Sequence, residues 1–332
     1  MPSVSWQRRV PPAVWLDVVG TPADLEIFAE GLAFPEGPVA FDDGSLVVVE
    51  VAGGRVTRIS PAGEKVTIAG VGGGPNGVAA GIDGALYVCN NGGLPWTTSP
   101  DGASYPVDPA TGSMTPGGYQ GGWLERVDPV TGQATRVLDF VSGRQLSAPN
   151  DIVAGADGAL WFTDTGKTNA DTTALGSVVR CGPDGSEAVT VAYGLAGPNG
   201  IGLSPDGSRL YVSDTPTGRI YEWDVSALGE VTGPRRHGAR VRGRLPAAEV
   251  VDSLAVDALD RILVALPGSG AIAVVQPDGG VWAFQVPDPM PTNVCFGGPD
   301  GTTAFVTLGG FGRVARFSWD CPGVVPVTPA RG

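Results

Sequence analysis

Residues 149–164 read PNDIVAGADGALWFTD, and this stretch decides the fold because its pattern returns throughout the chain. In each copy a small or proline residue precedes a polar residue, which we call the anchor. An apolar alternation, a turn and a second β-rich run follow the anchor. The other copies read PEGPVAFDDGSLVVVE (35–50), PNGVAAGIDGALYVCN (75–90), PNGIGLSPDGSRLYVSD (198–214), VDSLAVDALDRILVAL (251–266) and TNVCFGGPDGTTAFVT (292–307).

The register of the repeats supports this alignment. The anchors are Glu36, Asn76, Asn150, Asn199, Asp252 and Asn293. The hairpin-turn residue follows each anchor by eight positions, at Gly44, Gly84, Gly158, Gly207, Asp260 and Gly301. Glycine suits a turn that needs a positive φ, and the aspartate of the fifth copy is tolerated because aspartate also visits the left-handed region.

Each copy continues into further β runs, so one repeat supplies enough strands for a four-stranded antiparallel sheet. Repeats of about 40–50 residues of this kind are typical of propeller blades. We therefore predict an all-β fold, a six-bladed β-propeller, with residues 1–332 as a single domain. The segment Leu25–Glu30 is expected to complete the last blade and close the ring.

The interval between the second and third anchors is long because it contains an insertion, about residues 94–122. It joins the second strand of blade two to the third and contains aromatic residues in a Gly/Pro-rich background. Loops of this length are uncommon unless they are functional or disordered. Two interpretations stay open: a lid over the channel mouth, or a surface loop packed on the blade edge.

The first strand of a propeller blade runs beside the central channel, so equivalent positions at the start of those strands form a ring. Six polar anchors in this register are expected to point at one small volume, which would make it a central metal-binding channel. The alternative is that Asn and Asp only turn the chain before each strand. That alternative explains a Pro-Asn-Gly sequence but explains Glu36 and Asp252 poorly.

The anchors offer only oxygen ligands, which hard cations prefer. Ca²⁺ is the expected cofactor because it accepts several ligands at irregular angles, with Mg²⁺, Mn²⁺ or Zn²⁺ as substitutes. Asp252 is a candidate for a combined ligand and general base, and the alternative is that it only ligates. The one histidine, His237, lies in a basic loop, so a Ser-His-Asp triad or a zinc His cluster is hard to build.

The formal net charge of −13 makes nucleic acid an improbable partner, because nucleic-acid binding requires a basic face. No apolar run approaches the roughly 18 residues of a membrane span, so no membrane association is expected. Residues 1–20 carry Arg8 and Arg9 without a following apolar run, and a cytoplasmic location is expected. Nothing in the sequence predicts an obligatory protein partner. Cys89 and Cys295 lie in apolar runs and are expected to be buried free thiols.

The elements FPEGP, PNG…DGALYV, APND…DGALWFTD, PNG…PDGSRLYVSD and PTN…FGGPDG, taken in order, resemble the senescence marker protein / gluconolactonase / luciferin-regenerating enzyme family. The resemblance runs from about Leu32 to Trp319. It implies a six-bladed propeller with a metal in the central channel. It also implies that the metal ligands are Glu36, Asn150, Asn199 and Asp252, with Asp252 as general base.

The remaining anchors, Asn76 and Asn293, are expected to face the channel without touching the metal and to contact substrate. Asn90 and Asn91, at the end of the second run of blade two, and Trp96 in the insertion are further candidates for substrate binding. Animal gluconolactonases of this family carry an arginine two residues before the Asn150 position. Here that residue is Ala148, which favours a less polar lactone over an aldonolactone.

The predicted function is a divalent-metal-dependent hydrolase, a lactonase or esterase, that opens a small-molecule lactone or related ester. Paraoxonase-like and diisopropyl fluorophosphatase-like propellers have a similar pattern, so a phosphotriester substrate stays open. A non-catalytic, ligand-binding propeller is a further alternative. A strictosidine synthase-like enzyme would need no ring of oxygen ligands, and this sequence has the ring.

Overall fold

The computed structural model describes residues 16–226, 229–233, 238–246 and 249–324. His237 and residues 1–15 lie outside the described residues, so the expectations about the basic loop and the start of the N-terminal stretch stay predictions.

The strands of the first half of the chain follow one another blade by blade. Two strands precede the blades, β1 (Asp17–Val19) and β2 (Glu26–Ala29). Blade one contains β3 (Pro35–Ala40), β4 (Leu46–Glu50), β5 (Arg55–Ile59) and β6 (Lys65–Gly70). Blade two begins with β7 (Pro75–Ala80) and β8 (Leu86–Asn90), is interrupted by a hairpin of β9 (Thr97–Thr98) and β10 (Ser104–Tyr105), and ends with β11 (Trp123–Val127) and β12 (Ala134–Leu138).

The second half of the chain repeats this arrangement. A hairpin of β13 (Phe140–Val141) and β14 (Arg144–Gln145) leads to blade three, which contains β15 (Pro149–Ala154), β16 (Leu160–Asp164), β17 (Gly176–Cys181) and β18 (Val189–Leu195). Blade four contains β19 (Pro198–Leu203), β20 (Arg209–Asp214), the 3₁₀ turn Thr215–Thr217, β21 (Arg219–Asp224) and β22 (Arg240–Arg244). Blade five contains β23 (Leu254–Val256), β24 (Ile262–Leu266), β25 (Ala271–Val275) and β26 (Val281–Gln285), and blade six contains β27 (Pro291–Gly297), β28 (Thr303–Leu308) and β29 (Arg313–Ser318).

The first strand of each blade is the inner strand. Each inner strand contacts the inner strands of both neighbouring blades, in the closed order β3, β7, β15, β19, β23, β27 and back to β3. The six sheets therefore surround one axis, which confirms the predicted six-bladed β-propeller. The ring closes through the chain's beginning, because β2 pairs with β29 as the outer strand of blade six. The sequence predicted this role for Leu25–Glu30, but it did not predict β1, which pairs in parallel with β26 at the edge of blade five.

The core lies between the blades, because each sheet buries both faces against its neighbours. In β4 successive side chains point to opposite faces: Leu46 and Val48 pack against blade six, while Val47 and Val49 pack against blade two. Six such apolar clusters fill the six interfaces between adjacent blades. Cys89 is a free, fully buried thiol in one of them, as predicted, whereas Cys295 is a free thiol that is partly exposed.

The turn after each inner strand has the predicted conformation in every blade. The φ values are 78° at Gly44, 78° at Gly84, 80° at Gly158, 70° at Gly207, 62° at Asp260 and 72° at Gly301. Asp260 also bridges two blades, since it accepts hydrogen bonds from Tyr211 Oη (2.8 Å) and Arg242 Nη2 (2.7 Å) and pairs with Arg209 (2.9 Å). Ion pairs across the interface between blades four and five therefore explain why this turn has an aspartate where the other five turns have a glycine.

We expect Asp260→Ala to lower the free energy of unfolding by about 2 kcal/mol, because it removes the carboxylate that pairs with Arg242 and Arg209. Arg242 then keeps only Glu222, at 3.6 Å, and alanine lacks the polar side chain that lets aspartate adopt the left-handed region. Asp260→Gly relieves the backbone strain but still loses the ion pairs, so its loss should be about 1 kcal/mol smaller. Denaturant unfolding of both variants measures the difference. Equal stability of Asp260→Ala and the wild type would show that the ion pairs contribute nothing.

Candidate active site in the central channel

The anchors lie at one level around the axis. Five of them are among the first three residues of their inner strands, and Asp252 precedes β23 by two residues. In blades one to four the pairing of the inner strand with its neighbour is interrupted immediately after the anchor region. Such irregularities in a ladder re-aim a side chain. The structure therefore places the six predicted anchors at the same end of the channel, which we call the mouth.

Glycines after the anchors let the inner strands approach closely. A Cβ added at Gly77 would lie 2.5 Å from the carbonyl oxygen of Asn150, and one added at Gly200 would lie 2.5 Å from the amide nitrogen of Leu254. A side chain at either position would thus push two inner strands apart. This explains why Pro-Asn-Gly, and not only Pro-Asn, appears in blades two and four.

Side chains from four blades contact one another at the axis. Asn293 Nδ2 donates to Glu36 Oε2 at 2.8 Å, so blades six and one are joined. Ser253 Oγ lies 3.4 Å from Glu36 Oε1 and 3.3 Å from Asn199 Oδ1, so blade five reaches blades one and four. Asn199 also hydrogen-bonds the Asp252 carboxyl. These residues lie far apart in the sequence, and they meet because the closed ring of blades brings them to the axis.

Three carboxyl groups share this volume: Glu36 and Asp151, which are buried, and Asp252, which is partly exposed. Burial raises the pKa of Glu36 well above its ordinary value, and the charges of Asp252 and Asp151 raise it further. Burial raises the pKa of Asp151 to about 7. Burial, and then the charge of Asp151, raises the pKa of Asp252 to about 7. Such a group of carboxyls repels further negative charge and favours protons or a cation.

Asn150 supplies an oxygen without a partner among the residues that the structure describes. Its Oδ1 is buried and accepts no hydrogen bond from any of them. A buried carbonyl oxygen without a donor is costly, so such an atom calls for an explanation such as an ion. Asn150 occupies the same register as Glu36 and Asn199 in the repeat.

These donors fit a hard cation. Glu36 and Asp252 offer carboxylate oxygens, and Asn150 and Asn199 offer amide oxygens, which is the ligand chemistry of Ca²⁺. Among the described residues, no three His, Cys, Asp or Glu side chains form a metal site by themselves. A cation at the axis would therefore depend on the asparagines as well as on the carboxylates.

Two residues of this centre were missed by the sequence analysis, Asp151 and Ser253. Both follow an anchor directly, at the position that is glycine in blades one, two and four. The Asp151 carboxylate accepts from Ile152 N (3.0 Å) in its own strand and from Ile201 N (3.4 Å), and the second hydrogen bond joins blade three to blade four. The signal was visible in the repeat alignment, because a polar residue in a glycine position reaches the axis.

The predicted substrate-binding residues of blade two have different surroundings. Asn91 Nδ2 donates to Asn76 Oδ1 at 3.4 Å, so these two lie together at the mouth. Asn90 is fully buried, and its amide bonds the backbone of Gly74 and Gly72 and the Glu125 carboxylate. These partners use both ends of the Asn90 amide to hold the chain, which leaves no polar group for a substrate.

The insertion crosses the mouth and touches three other blades. The ring of Trp96 packs against Phe34, two residues before Glu36, with centroids 4.9 Å apart. Ser104 N donates to Gly310 O of blade six at 2.8 Å. Met114 N donates to Thr168 O of blade three at 3.0 Å. The segment 94–122 is thus positioned as a cover over the anchors.

The other end of the channel has a different character. A cavity of about 300 Å³ lies there, bounded by apolar side chains of the inner strands and by the turn at residues 204–207. Asp151 and Asn293 form part of its lining. The polar centre therefore separates an apolar cavity on one side from the covered mouth on the other.

Known proteins share the sequence and the fold. The family model described as SMP-30/Gluconolactonase/LRE-like region matches residues 34–310. A gluconolactonase from Zymomonas mobilis is 28% identical over 305 residues, which cover 87% of this chain and 79% of that protein. Lactonase drp35 from Staphylococcus saprophyticus is 29% identical over 258 residues, covering 77% of this chain and 70% of the relative.

A solved structure supports the architecture. The gluconolactonase from Xanthomonas campestris superimposes with a TM-score of 0.69 at 23% identity, covering 93% of this chain and 99% of that one. At this level of identity the likeness shows the fold. In the described residues we find no helix with the length and apolar character needed to cross a membrane.

We expect the metal-free protein to lose stability as pH rises from about 4 to about 7. The pKa values of Asp151 and Asp252 are raised in the folded protein, so folding binds protons in this window and their loss destabilises the fold. Asp151→Asn should flatten the dependence, because it removes one buried carboxyl. Denaturant midpoints at pH 5 and pH 8 in the presence of a chelator measure the slope.

The matched control is Asp300→Asn, an exposed turn residue whose pKa is lowered by its hydrogen bonds to Thr302. This variant should have the same dependence of stability on pH between pH 5 and pH 8 as the wild type. If Asp151→Asn and Asp300→Asn have the same slope as the wild type, burial does not raise the pKa of Asp151.

Proposed function

Because the chain belongs to the SMP-30/Gluconolactonase/LRE-like family, we propose that it is a lactonase, an enzyme that hydrolyses the ester bond of a cyclic ester. The observation that supports this most strongly is that polar side chains of separate blades contact one another at the axis. Asn293 and Ser253 contact Glu36, and Ser253 also contacts Asn199. Asn150 and Asp252 are anchors of the same register. Relatives that span most of the chain are a gluconolactonase and a lactonase.

We further propose that Glu36, Asn150, Asn199 and Asp252 hold a divalent cation, with Ca²⁺ as the first candidate. The orphaned Asn150 Oδ1 and the mutually repelling carboxyls are the structural support for this. When bound, the cation would polarise the ester carbonyl and favour ionisation of a water molecule.

Asp252 is the candidate general base. It is the least buried of the three carboxyls, since it is partly exposed at the mouth while Glu36 and Asp151 are buried. Its pKa near 7 without a cation suits a group that accepts and returns a proton at neutral pH. Asn199 orients its carboxyl by a hydrogen bond.

Hydrolysis of a lactone needs only a water molecule and a group, here Asp252, that accepts a proton and returns it. The oxygen of a water molecule adds to the lactone carbonyl carbon as its proton passes to the Asp252 carboxylate. The ring C–O bond then breaks, and the proton returns to the alkoxide oxygen that leaves. The product is one open-chain hydroxy acid, which ionises to a carboxylate at neutral pH. Glu36 is held for its part by Asn293 Nδ2 and Ser253 Oγ, so its carboxylate keeps one orientation.

The surroundings of the mouth favour a lactone of low polarity. Ala148 offers no hydrogen-bonding side chain beside Asn150, and its backbone N–H is already bonded to Asp164. Trp96 and Phe34 supply aromatic surface near Glu36. We therefore propose a substrate with an apolar ring or substituent rather than a polyhydroxylated aldonolactone.

We expect Ca²⁺-dependent turnover of simple lactones, and we expect Asp252→Asn to lower kcat by about 10²- to 10⁴-fold, the usual contribution of a general base. Glu36→Gln should raise the Ca²⁺ concentration needed for half-maximal rate, because one ligand charge is lost. Steady-state rates on γ- and δ-lactones, gluconolactone and a phosphotriester, with Ca²⁺, Mg²⁺, Mn²⁺ or Zn²⁺, measure both effects.

Glu64→Gln is the control, since it removes an exposed charge far from the axis and should keep the wild-type rate. Wild-type turnover in both Asp252→Asn and Glu36→Gln would show that the site assignment is wrong. Metal-dependent turnover of the phosphotriester alone would replace the lactonase by a phosphotriesterase. Metal binding without turnover of any substrate would identify a ligand-binding propeller.

A further inference from the structure

Lys167 is a buried cation at the mouth to which the reaction described above gives no role. It lies in the loop between β16 and β17, three residues after Asp164, and is only 5% exposed. The loop is joined to the base of the Asn150 anchor, because Thr165 N donates to Ala148 O at 3.0 Å. Lys167 therefore lies in a loop that is attached to the strand carrying Asn150, the anchor of blade three.

The ammonium group also reaches blade two. Lys167 Nζ donates to Gly93 O at 2.6 Å and lies 5.1 Å from the centroid of the Tyr119 ring. Gly93 N in turn donates to Asn91 Oδ1 at 2.9 Å, and Asn91 contacts the anchor Asn76. The charge thus sits between the anchors of blades two and three, under the start and the end of the insertion.

This cation has too few partners for a buried charge. An ammonium has three N–H donors, and within the described parts of the chain a single neutral carbonyl accepts from it. No carboxylate of the described residues lies within the 4.0 Å of an ion pair. The charge of Asp164 acts on Lys167 from a distance, and the Asp164 oxygens accept instead from the N–H groups of Ser147 and Ala148.

Burial also affects the protonation of Lys167. It lowers the pKa of the side chain to about 8, and the Asp164 charge opposes this only in part. Most of the molecules still carry the ammonium at neutral pH. Buried charges in proteins are ordinarily paired, so an underpaired one in a cleft indicates a missing anionic partner.

We propose that Lys167 is an anion-binding residue of the mouth that receives the carboxylate produced by ring opening. The proposal rests on the lactonase function, because that reaction turns a neutral ester into an anion beside the anchors. An ammonium binds a carboxylate more strongly than a neutral ester, since the hydrogen bond is charge-assisted. Lys167 therefore discriminates the carboxylate product from the neutral lactone substrate.

The chain contains two lysines, Lys65 and Lys167, which allows a test that needs no turnover. Lys65 donates to Glu30 O at the outer edge of the propeller and serves as the internal reference. Acetylation of the full chain with Ca²⁺ present is followed at each lysine by mass spectrometry, with 4-hydroxybutyrate as the probe. We expect 4-hydroxybutyrate to slow the labelling of Lys167 about fivefold or more and to leave Lys65 unchanged. The neutral analogue 1,4-butanediol should protect neither lysine.

Variants give the second readout. Lys167→Met should raise the inhibition constant of 4-hydroxybutyrate about tenfold or more, the usual effect of losing a charge-assisted hydrogen bond, and leave KM for γ-butyrolactone within about twofold. Lys167→Arg should keep most of the affinity because it keeps the charge. Lys65→Met should match the wild type in every measurement.

The outcomes separate this proposal from the lactonase function. Labelling of Lys167 that is equal with and without 4-hydroxybutyrate overturns the anion site, whether or not lactones are hydrolysed. An equal loss of affinity for 4-hydroxybutyrate and γ-butyrolactone in Lys167→Met also overturns it, since that result means that Lys167 only holds the insertion through Gly93 and Tyr119. Protection of Lys167 without turnover of any lactone would support the anion site and reject the lactonase.

Discussion

The packing of every sheet against two neighbours is the interaction on which the rest of the structure depends. A blade has no polar face, so its strands must be apolar on both sides, as the alternation of Leu46, Val47, Val48 and Val49 shows. An open row of such sheets would leave two apolar faces in water. Pairing of β2 with β29 completes the last blade from the chain's beginning and removes that exposure.

Closure of the ring has a chemical consequence, because it brings equivalent positions of all blades to one axis. Glycines beside the anchors let the backbones approach until carboxyl and amide groups of different blades touch. The resulting cluster is unfavourable by itself, because the charges of Asp252 and Asp151 raise the pKa of the buried Glu36. In addition, no hydrogen-bond donor of the described residues reaches Asn150 Oδ1. The apolar interfaces stabilise the ring against this cost, so the scaffold and the site have separate physical origins.

The inner strands supply the anchors at the mouth, and loops supply the surface that covers them. The insertion rests on Phe34 through Trp96, on Gly310 through Ser104, and on the blade-three loop through Thr168. These contacts cover the anchors with aromatic surface and bury the Lys167 ammonium below it. Loops held by a rigid scaffold are where proteins commonly vary their chemistry. Substrate choice is therefore expected to depend on this cover, while the oxygen ligands depend on the blades.

The sequence by itself determined the repeat, the turn register and the anchors, because strand alternation and a left-handed turn residue are properties of a few consecutive residues. Even the exception, Asp260, could be placed in its turn. Only the tertiary structure decided which polar groups meet. Asp151 and Ser253 join the axis, and the Asn90 amide is used by the backbone of Gly72 and Gly74. Lys167 has one hydrogen-bond acceptor among the described residues. Contacts of this kind depend on what lies across a blade interface, and local periodicity carries no information about a neighbour from a distant part of the chain.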